Sequence, residues 1–306
     1  MAPSDPALHF NTDFEPQTGQ SVPVAPGIVR VTAPNASPYT FTGTNSFLIG
    51  EASVVVVDPG PDDEWHLAAL KRAIRGRTVD AVLLTHTHKD HSALAARLSV
   101  ETGAPLWFGG RHRLSRPLRT LEVNPIAGSC DWELAPDRVL QDGERIVAGG
   151  IGIEAIATPG HCANHLAFGI AGTPLVLSGD HVMGWNSTLV SVPDGSMADY
   201  LASLEKLIAM PYATYLPAHG GGIEDGRGYA RALLSHRRAR NDQVVAAVES
   251  GARTIGQLVR AIYPGLGLEV MPAARMTLAA HVEYLATQGA IRARWTPLGP
   301  ELTPIR

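Results

Sequence analysis

The chain has 306 residues, 45% of them hydrophobic and 18% charged, with a net charge of −4 at pH 7. Disorder requires low hydrophobicity and high net charge, so disordered, collagen-like and low-complexity classes are excluded. At about 150 residues per domain, the length predicts one large domain or a large one with a small companion.

Aliphatic runs such as Val54 to Val57 stay far below the ~18 apolar residues of a membrane-spanning helix. The first twenty residues have neither the basic start nor the apolar core of a secretory signal, and Cys130 and Cys162, the two cysteines of the chain, form no disulfide framework and suit a reducing compartment. No membrane association and a cytoplasmic location are the expectations. Oligomeric state is not readable.

Residues 1–27 carry Pro3, Pro6, Pro16, Pro23 and Pro26 among scattered apolar residues and predict an extended arm. From Asn45, NSFLIG and SVVVVDPG are short β-branched runs bounded by Gly and Pro, the pattern of buried strands. Leu67, Leu70, Ala73 and Ile74 recur at helical spacing behind Asp62 as candidate N-cap, a strand follows at Val79 to Leu84, then a helix from Ser92 to Val100 and a strand to Phe108. From Leu121 to Ile170, short apolar runs with turn residues between them predict antiparallel sheet. PLVLSGD reads as a further strand, Met197 to Ala209 as a helix and ATYLPAHG as a strand with a loop. Two sheet-forming halves, each with helices, predict an α/β fold: a four-layer αββα sandwich over residues 28–226.

Residues 227–306 change character. A long helical pattern, two shorter ones and a terminal β ribbon outline a helical linker and a winged-helix-like α+β domain. This segment holds eleven arginines and five acids, +6, leaving 14 basic and 24 acidic residues, −10, to residues 1–226.

Of the 12 histidines, five stand where chemistry can be read. After the Val79 to Leu84 strand comes THTHKDH. Side chains two apart on an extended segment share a face, so His86 and His88 can grip one cation, while Asp90 and His91, displaced as the chain turns into a helix, can grip a second. Two cations need more ligands, and three metal-capable residues stand past the ends of other buried strands: His161 in ATPGH, Asp180 in LSGD and His219 in LPAHG. A carboxylate can bridge two cations and a neutral imidazole cannot, so Asp180 is the expected bridge.

HTHKDH, then GH, GD and AHG, in this order over about residues 27–225, resembles the metallo-β-lactamase-fold hydrolases. The resemblance implies the αββα fold, with His86, His88 and His161 on one metal, Asp90, His91 and His219 on a second, and Asp180 between them. The all N/O set is similar to that of glyoxalase II, lactonases and the nucleases of the superfamily. The basic tail, with SGDHVMGW and TPGHCANH, resembles the branch that includes a mitochondrial single-strand endoribonuclease; that branch usually carries Thr where Cys162 stands here.

Two cations about 3.5–4 Å apart can hold a bridging water and lower its pKa toward ~7, so the expected reaction is hydrolysis, with Asp90 and Asp180 the catalytic carboxylates. Zn²⁺ is the first expectation for such ligands, with Mn²⁺ or Fe²⁺ as substitutes. Asp58 is read either as a partner for a ligand imidazole or as a turn residue before Pro59. His165 and His181 are expected to hydrogen-bond structurally and Cys162 to fill space beside a ligand, while Trp185, Asn186, Ser187 and Thr188 are read either as lining a substrate groove or as a packing loop. His9, His66, His112, His236 and His281 are assigned to surface or core.

The favoured substrate is a small-molecule ester, thioester or lactone; the alternative is single-stranded RNA, drawing on Arg231, Arg237, Arg238 and Arg240, since phosphate contacts come from Lys and Arg. A β-lactamase and a non-enzymatic winged-helix regulator rank below both.

Overall fold

The computed structural model describes residues 8–296 and 299–305; the first seven residues of the expected arm, 297–298 in the terminal ribbon and 306 lie outside the described residues. The first sheet takes β1 (Val22–Ala25), β2 (Ile28–Thr32), β3 (Asn45–Ile49), β4 (Ser53–Val57), β5 (Thr78–Leu83), β6 (Leu106–Phe108) and β7 (Arg138–Val139) in sequence order. Its first four strands are antiparallel and the rest join in parallel. The end of the arm is therefore the edge strand β1, and Pro23 is tolerated there because edge strands leave backbone groups unpaired.

The second sheet runs β12-β11-β10-β9-β8, from β8 (Arg145–Ala148), β9 (Ile151–Ala157), β10 (Leu166–Ile170), β11 (Leu175–Gly179) and β12 (Thr214–Pro217). Residues 109–137 form a long loop before β7, so residues 121–137, about a third of the region expected to be antiparallel sheet, carry no strand.

Alternation along β4 shows how the layers assemble. Val55 and Val57 join Phe47, Leu83, Phe168 and Leu177 in the core between the sheets. Val54 and Val56 face the other way, onto Leu67 and Leu70 of α1 (Glu64–Ile74) and Leu98 of α3 (Ala95–Thr102). Because both faces are covered, the strand is apolar at every position from Val54 to Val57 rather than alternating. On the far side, Ile156, Ala167 and Val176 pack under Leu204 of α4 (Met197–Ala209) and Leu233 of α5 (Gly226–Glu249). The four layers are helix, sheet, sheet and helix.

Local differences from the sequence reading have simple causes. The α1 N-cap is Asp63, one residue past Asp62, because its Oδ1 accepts from His66 N three residues on, at 2.7 Å. The helix expected from Ser92 is split into α2 (Lys89–Ser92) and α3.

Beyond Ser250, α6 (Ile255–Ile262), α7 (Met271–Thr287) and the hairpin of β13 (Ile291–Thr296) and β14 (Gly299–Pro304) close a separate core with Val244 and Val248 at the end of α5. One helix thus serves two cores, and this C-terminal unit is latched to the first. The buried guanidinium of Arg237 donates through Nη2 to Thr188 O, and Arg116 forms a two-pronged ion pair with Glu283 of α7. Among the described residues, no helix is long and apolar enough to cross a membrane.

Candidate metal centre

All seven residues predicted as ligands lie just past the ends of strands on one edge of the sandwich. His86, His88, Asp90 and His91 follow β5, His161 follows β9, Asp180 follows β11 and His219 follows β12. Backbone stitches close that edge: Leu166 N donates to Thr85 O at 2.7 Å and Asn45 N to Ala218 O at 2.7 Å.

The outer ring nitrogens of the five imidazoles are all engaged. His91 Nδ1 donates to Asp58 Oδ2 (3.1 Å), His88 Nε2 to Asp194 Oδ2 (2.9 Å), His161 Nδ1 to Leu189 O (2.7 Å) and His219 Nδ1 to Gly43 O (3.2 Å). His86 Nδ1 donates to Thr85 Oγ1 (3.0 Å), whose hydroxyl in turn donates to Asp58 Oδ2 (2.7 Å). Asp58 therefore contacts one imidazole directly and a second through Thr85, and its φ of +50° also turns the chain before Pro59.

With outer nitrogens protonated, the inner ones present lone pairs to one another. His88 Nδ1 lies 3.0 Å from His86 Nε2 and 2.9 Å from His161 Nε2, with no proton left between them. Three acceptors converging so closely repel unless a positive charge sits among them. Beside this trio, His91 Nε2 and His219 Nε2 lie 3.4 and 3.5 Å from Asp90 Oδ2. Asp180 stands between the groups: its Oδ2 is 3.6 Å from His161 Nε2 and 3.5 Å from His91 Nε2, and its Oδ1 is 3.3 Å from His219 Nε2. Buried His91 Nε2, His219 Nε2 and Asp180 Oδ1 have no hydrogen-bond partner among the described residues, although buried polar atoms are ordinarily satisfied. Both groups place their nitrogen and oxygen donors within 4.8 Å of one another. A hard or borderline divalent cation fits each, since no thiolate is in either set.

Charge follows the same division. Burial, with neighbouring histidines adding to it, pushes His86 well below its ordinary value and His161 down to about 4. Burial works in the same direction at His219 but is outweighed by Asp180 and Asp90, which hold it up to about 9; His91 is likewise raised well above the ordinary range by Asp90 and Asp180. Both carboxyls, against their own desolvation, are held well below the usual range by these two histidines.

Of the neighbouring residues, His165 is structural, as expected: Nδ1 donates to Thr158 Oγ1 (2.8 Å) and Nε2 accepts from Asp180 N (3.1 Å), which aims the Asp180 backbone. Gly179 is required beside it. Its φ is +54°, and a Cβ there would stand 2.5 Å from His165 Nε2. The expectation for His181 is not met: its ring is buried without a hydrogen-bond partner among the described residues, packed against Tyr200. Trp185, Asn186 and Ser187 line a cleft over the centre, but Thr188 does not. It is buried, and its hydroxyl donates to Asp180 O (2.7 Å) and also lies 3.0 Å from His181 O, pinning the loop instead of lining it.

Two residues were not found by sequence reasoning. Asp194, fully buried, accepts from His88 through Oδ2 and from His112 Nε2 through Oδ1 (2.8 Å), so His112 belongs behind the site and not to the remote core. His112 Nδ1 accepts from Thr87 Oγ1, which accepts from Asn164 Nδ2, while the Cys162 thiol donates to Asn164 Oδ1. Cys162 is thus tied to the centre through four hydrogen-bonded neighbours and does not touch His161 through its thiol. Asp194 stands in VPDG, which reads as a turn, and lies 106 positions from His88; no spacing rule connects them. Partners of this kind fix the tautomer and orientation of a ligating imidazole, and losing one typically costs 10–100-fold in metal affinity. Asp194→Asn is accordingly expected to weaken metal binding by roughly 10–100-fold, read by competition with a chromogenic chelator; affinity unchanged from wild type would show that His88 needs no such support.

Residues 39–219 match the metallo-beta-lactamase superfamily, and the chain belongs to it. The lactamase-like protein vrtG of Penicillium aethiopicum is 29% identical over 248 residues, 80% of this chain and 73% of that protein. An atrochrysone carboxyl ACP thioesterase of Aspergillus fumigatus is 27% identical over 265 residues, 81% and 76% of the two chains. In structure, a beta-lactamase domain protein from Burkholderia ambifaria superposes with a TM-score of 0.78 at 24% identity over 96% of each chain, which establishes likeness of fold. The protein is a metal-dependent hydrolase of this superfamily.

Proposed function

We propose that the protein is a dinuclear metallohydrolase that cleaves an ester, thioester or lactone of a small molecule. The observation that carries the reading is Asp180, whose two oxygens face both imidazole groups at the floor of a cleft. His86, His88 and His161 would hold one divalent ion and Asp90, His91 and His219 the other, with Asp180 shared; Zn²⁺ is the first choice and Mn²⁺ or Fe²⁺ the alternatives. Such ions supply Lewis acidity and acidify water so that a nucleophile is available near neutral pH.

The remaining work falls to the chain. Asp90 and Asp180 offset the cationic charge, and Asp58, Thr85 and Asp194 keep the imidazoles aimed. Asp90, with its side chain 30% exposed, faces the cleft and is the carboxylate placed to orient the attacking water toward the acyl carbon. The thioesterase relatives support an acyl substrate. We also retain the winged-helix-like reading of the C-terminal unit, on its three helices and hairpin.

Single-stranded RNA remains the second reading, but the arginines that suggested it are largely used within the protein. Arg237 is buried against Thr188, Arg238 pairs with Glu205, and Arg240 lies over the Tyr263 ring at 4.2 Å. One panel on the metal-loaded protein tests both: thioesters, acyl lactones, a β-lactam, a phosphodiester and single-stranded RNA. Acyl substrates are expected to be turned over at least ~100-fold faster, in kcat/KM, than the phosphodiester, a difference of about 2.7 kcal/mol in transition-state stabilisation. RNA cleavage without acyl turnover would reverse the assignment.

A further inference from the structure

The cleft above the metal centre is not closed by the catalytic domain alone. It encloses about 1180 Å³, and from His88, Asp90, His161 and Asp180 it extends to the C-terminal unit, reaching Tyr263, the α6–α7 connection and the start of α7. Small-molecule pockets usually span about 300–1,000 Å³, so there is room for a bulky substrate. The far wall presents Leu266, Leu268, Val270 and Met271; Ile126 and Met183 lie across the cleft.

Leu268 is 87% exposed and Val270 36%. A single exposed aliphatic residue needs no explanation, but these two sit together on the lip of the cavity that holds the metal centre, where a contiguous apolar surface marks a binding site. The wall is also held in place relative to the metals. Arg237, itself lining the cleft, ties α5 to the Thr188 backbone, and Arg240 on the same helix stacks over Tyr263 at the base of the connection.

We infer that the α6–α7 connection is the acyl-binding wall of the enzyme, and that the substrate carries a bulky apolar acyl group, which lies along Leu266, Leu268 and Val270 while its carbonyl is at the metal centre. The inference rests on the acyl-hydrolase reading and adds to it the substrate class and the residues that select it. It gives the C-terminal unit a part in specificity that does not involve nucleic acid.

The test is a series of thioesters from acetyl to decanoyl with the metal-loaded full-length protein. Full burial of one methylene is worth up to about fourfold. With one side of the chain facing the open cleft, kcat/KM is expected to rise at least ~30-fold from acetyl to octanoyl. In the double variant Leu268→Asp, Val270→Asp, whose side chains are at the surface and not in a core, the octanoyl-to-acetyl ratio is expected to fall at least ~10-fold. Val100→Asp, at a position 84% exposed on α3 away from the cleft, should keep the wild-type ratio. A flat series, or a ratio unmoved by the double variant, overturns the inference while leaving the hydrolase reading intact. If no acyl substrate is turned over, that reading fails instead. Calorimetric titration with acetate and octanoate then still reports on the wall: octanoate should bind at least ~10-fold tighter to wild type than to the double variant, and equal binding overturns the wall as well.

Discussion

Asp180→Asn is expected to lower hydrolytic activity by about 10³-fold and to reduce bound metal from two ions per chain to one or fewer. The substitution preserves shape and removes one of the two carboxylates among five neutral donors. Asp180 is also the group that faces both imidazole sets, at 3.3–3.6 Å from His91, His161 and His219. A buried cation loses much of its compensation when its carboxylate is removed, and about 4 kcal/mol of lost transition-state stabilisation corresponds to three orders of magnitude in rate. His88→Ala should act comparably, since His88 Nδ1 is the one nitrogen within 3.0 Å of both other members of its trio. Elemental analysis alongside kinetics separates the outcomes. A variant of Asp180 that keeps two ions and near wild-type turnover would remove the shared-carboxylate arrangement from the mechanism.

Affinity for the ion held by Asp90, His91 and His219 is expected to rise by up to about 100-fold per pH unit between pH 6 and 8, about tenfold for each of two displaced protons. In the metal-free protein, Asp180 and Asp90 hold the His219 imidazole up to about 9 and raise His91 well above its ordinary value. Each must give up its proton before its Nε2 can ligate, so a metal ion competes with protons until the pH passes about 9 at His219. Two pH units then correspond to up to roughly 10⁴-fold, or about 5.4 kcal/mol at 1.36 kcal/mol per proton and pH unit.

The metal-free protein should behave in the opposite sense. A raised histidine pKa contributes stability that is fully present below the unfolded value of ~6.5 and is lost as pH climbs through the folded value. The melting temperature without metal should therefore fall between pH 7 and 10, while the stabilisation on adding metal grows over the same range. Chelator-competition titrations and melting curves at pH 6, 7, 8 and 9 read both slopes. A flat affinity profile would mean that protons do not occupy these sites.

What was legible in the sequence is what is local. The spacing of His86, His88, Asp90 and His91 follows from one strand running into one helix, and the Gly and Pro around His161, Asp180 and His219 mark chain reversals at strand ends. The apolar strands β4, β5 and β9–β12, and the C-terminal helices, show in the same way, because periodicity and turn chemistry are properties of neighbours in the chain. Residues 121–137 were misread because a long loop with scattered apolar residues has the composition of short strands.

The tertiary structure decided which groups stand behind the ligands and what covers them. Asp194 meets His88 across 106 positions, Thr188 turns inward to hold the Asp180 backbone, and Arg237 is drawn into the body of the protein rather than displayed on a basic face. The Asp194 and Arg237 contacts join segments distant in sequence, and neither residue type nor spacing encodes such a contact. A strand-end histidine declares its chemistry in one dimension; the partner that aims it, and the cleft that selects its substrate, exist only once the layers have packed.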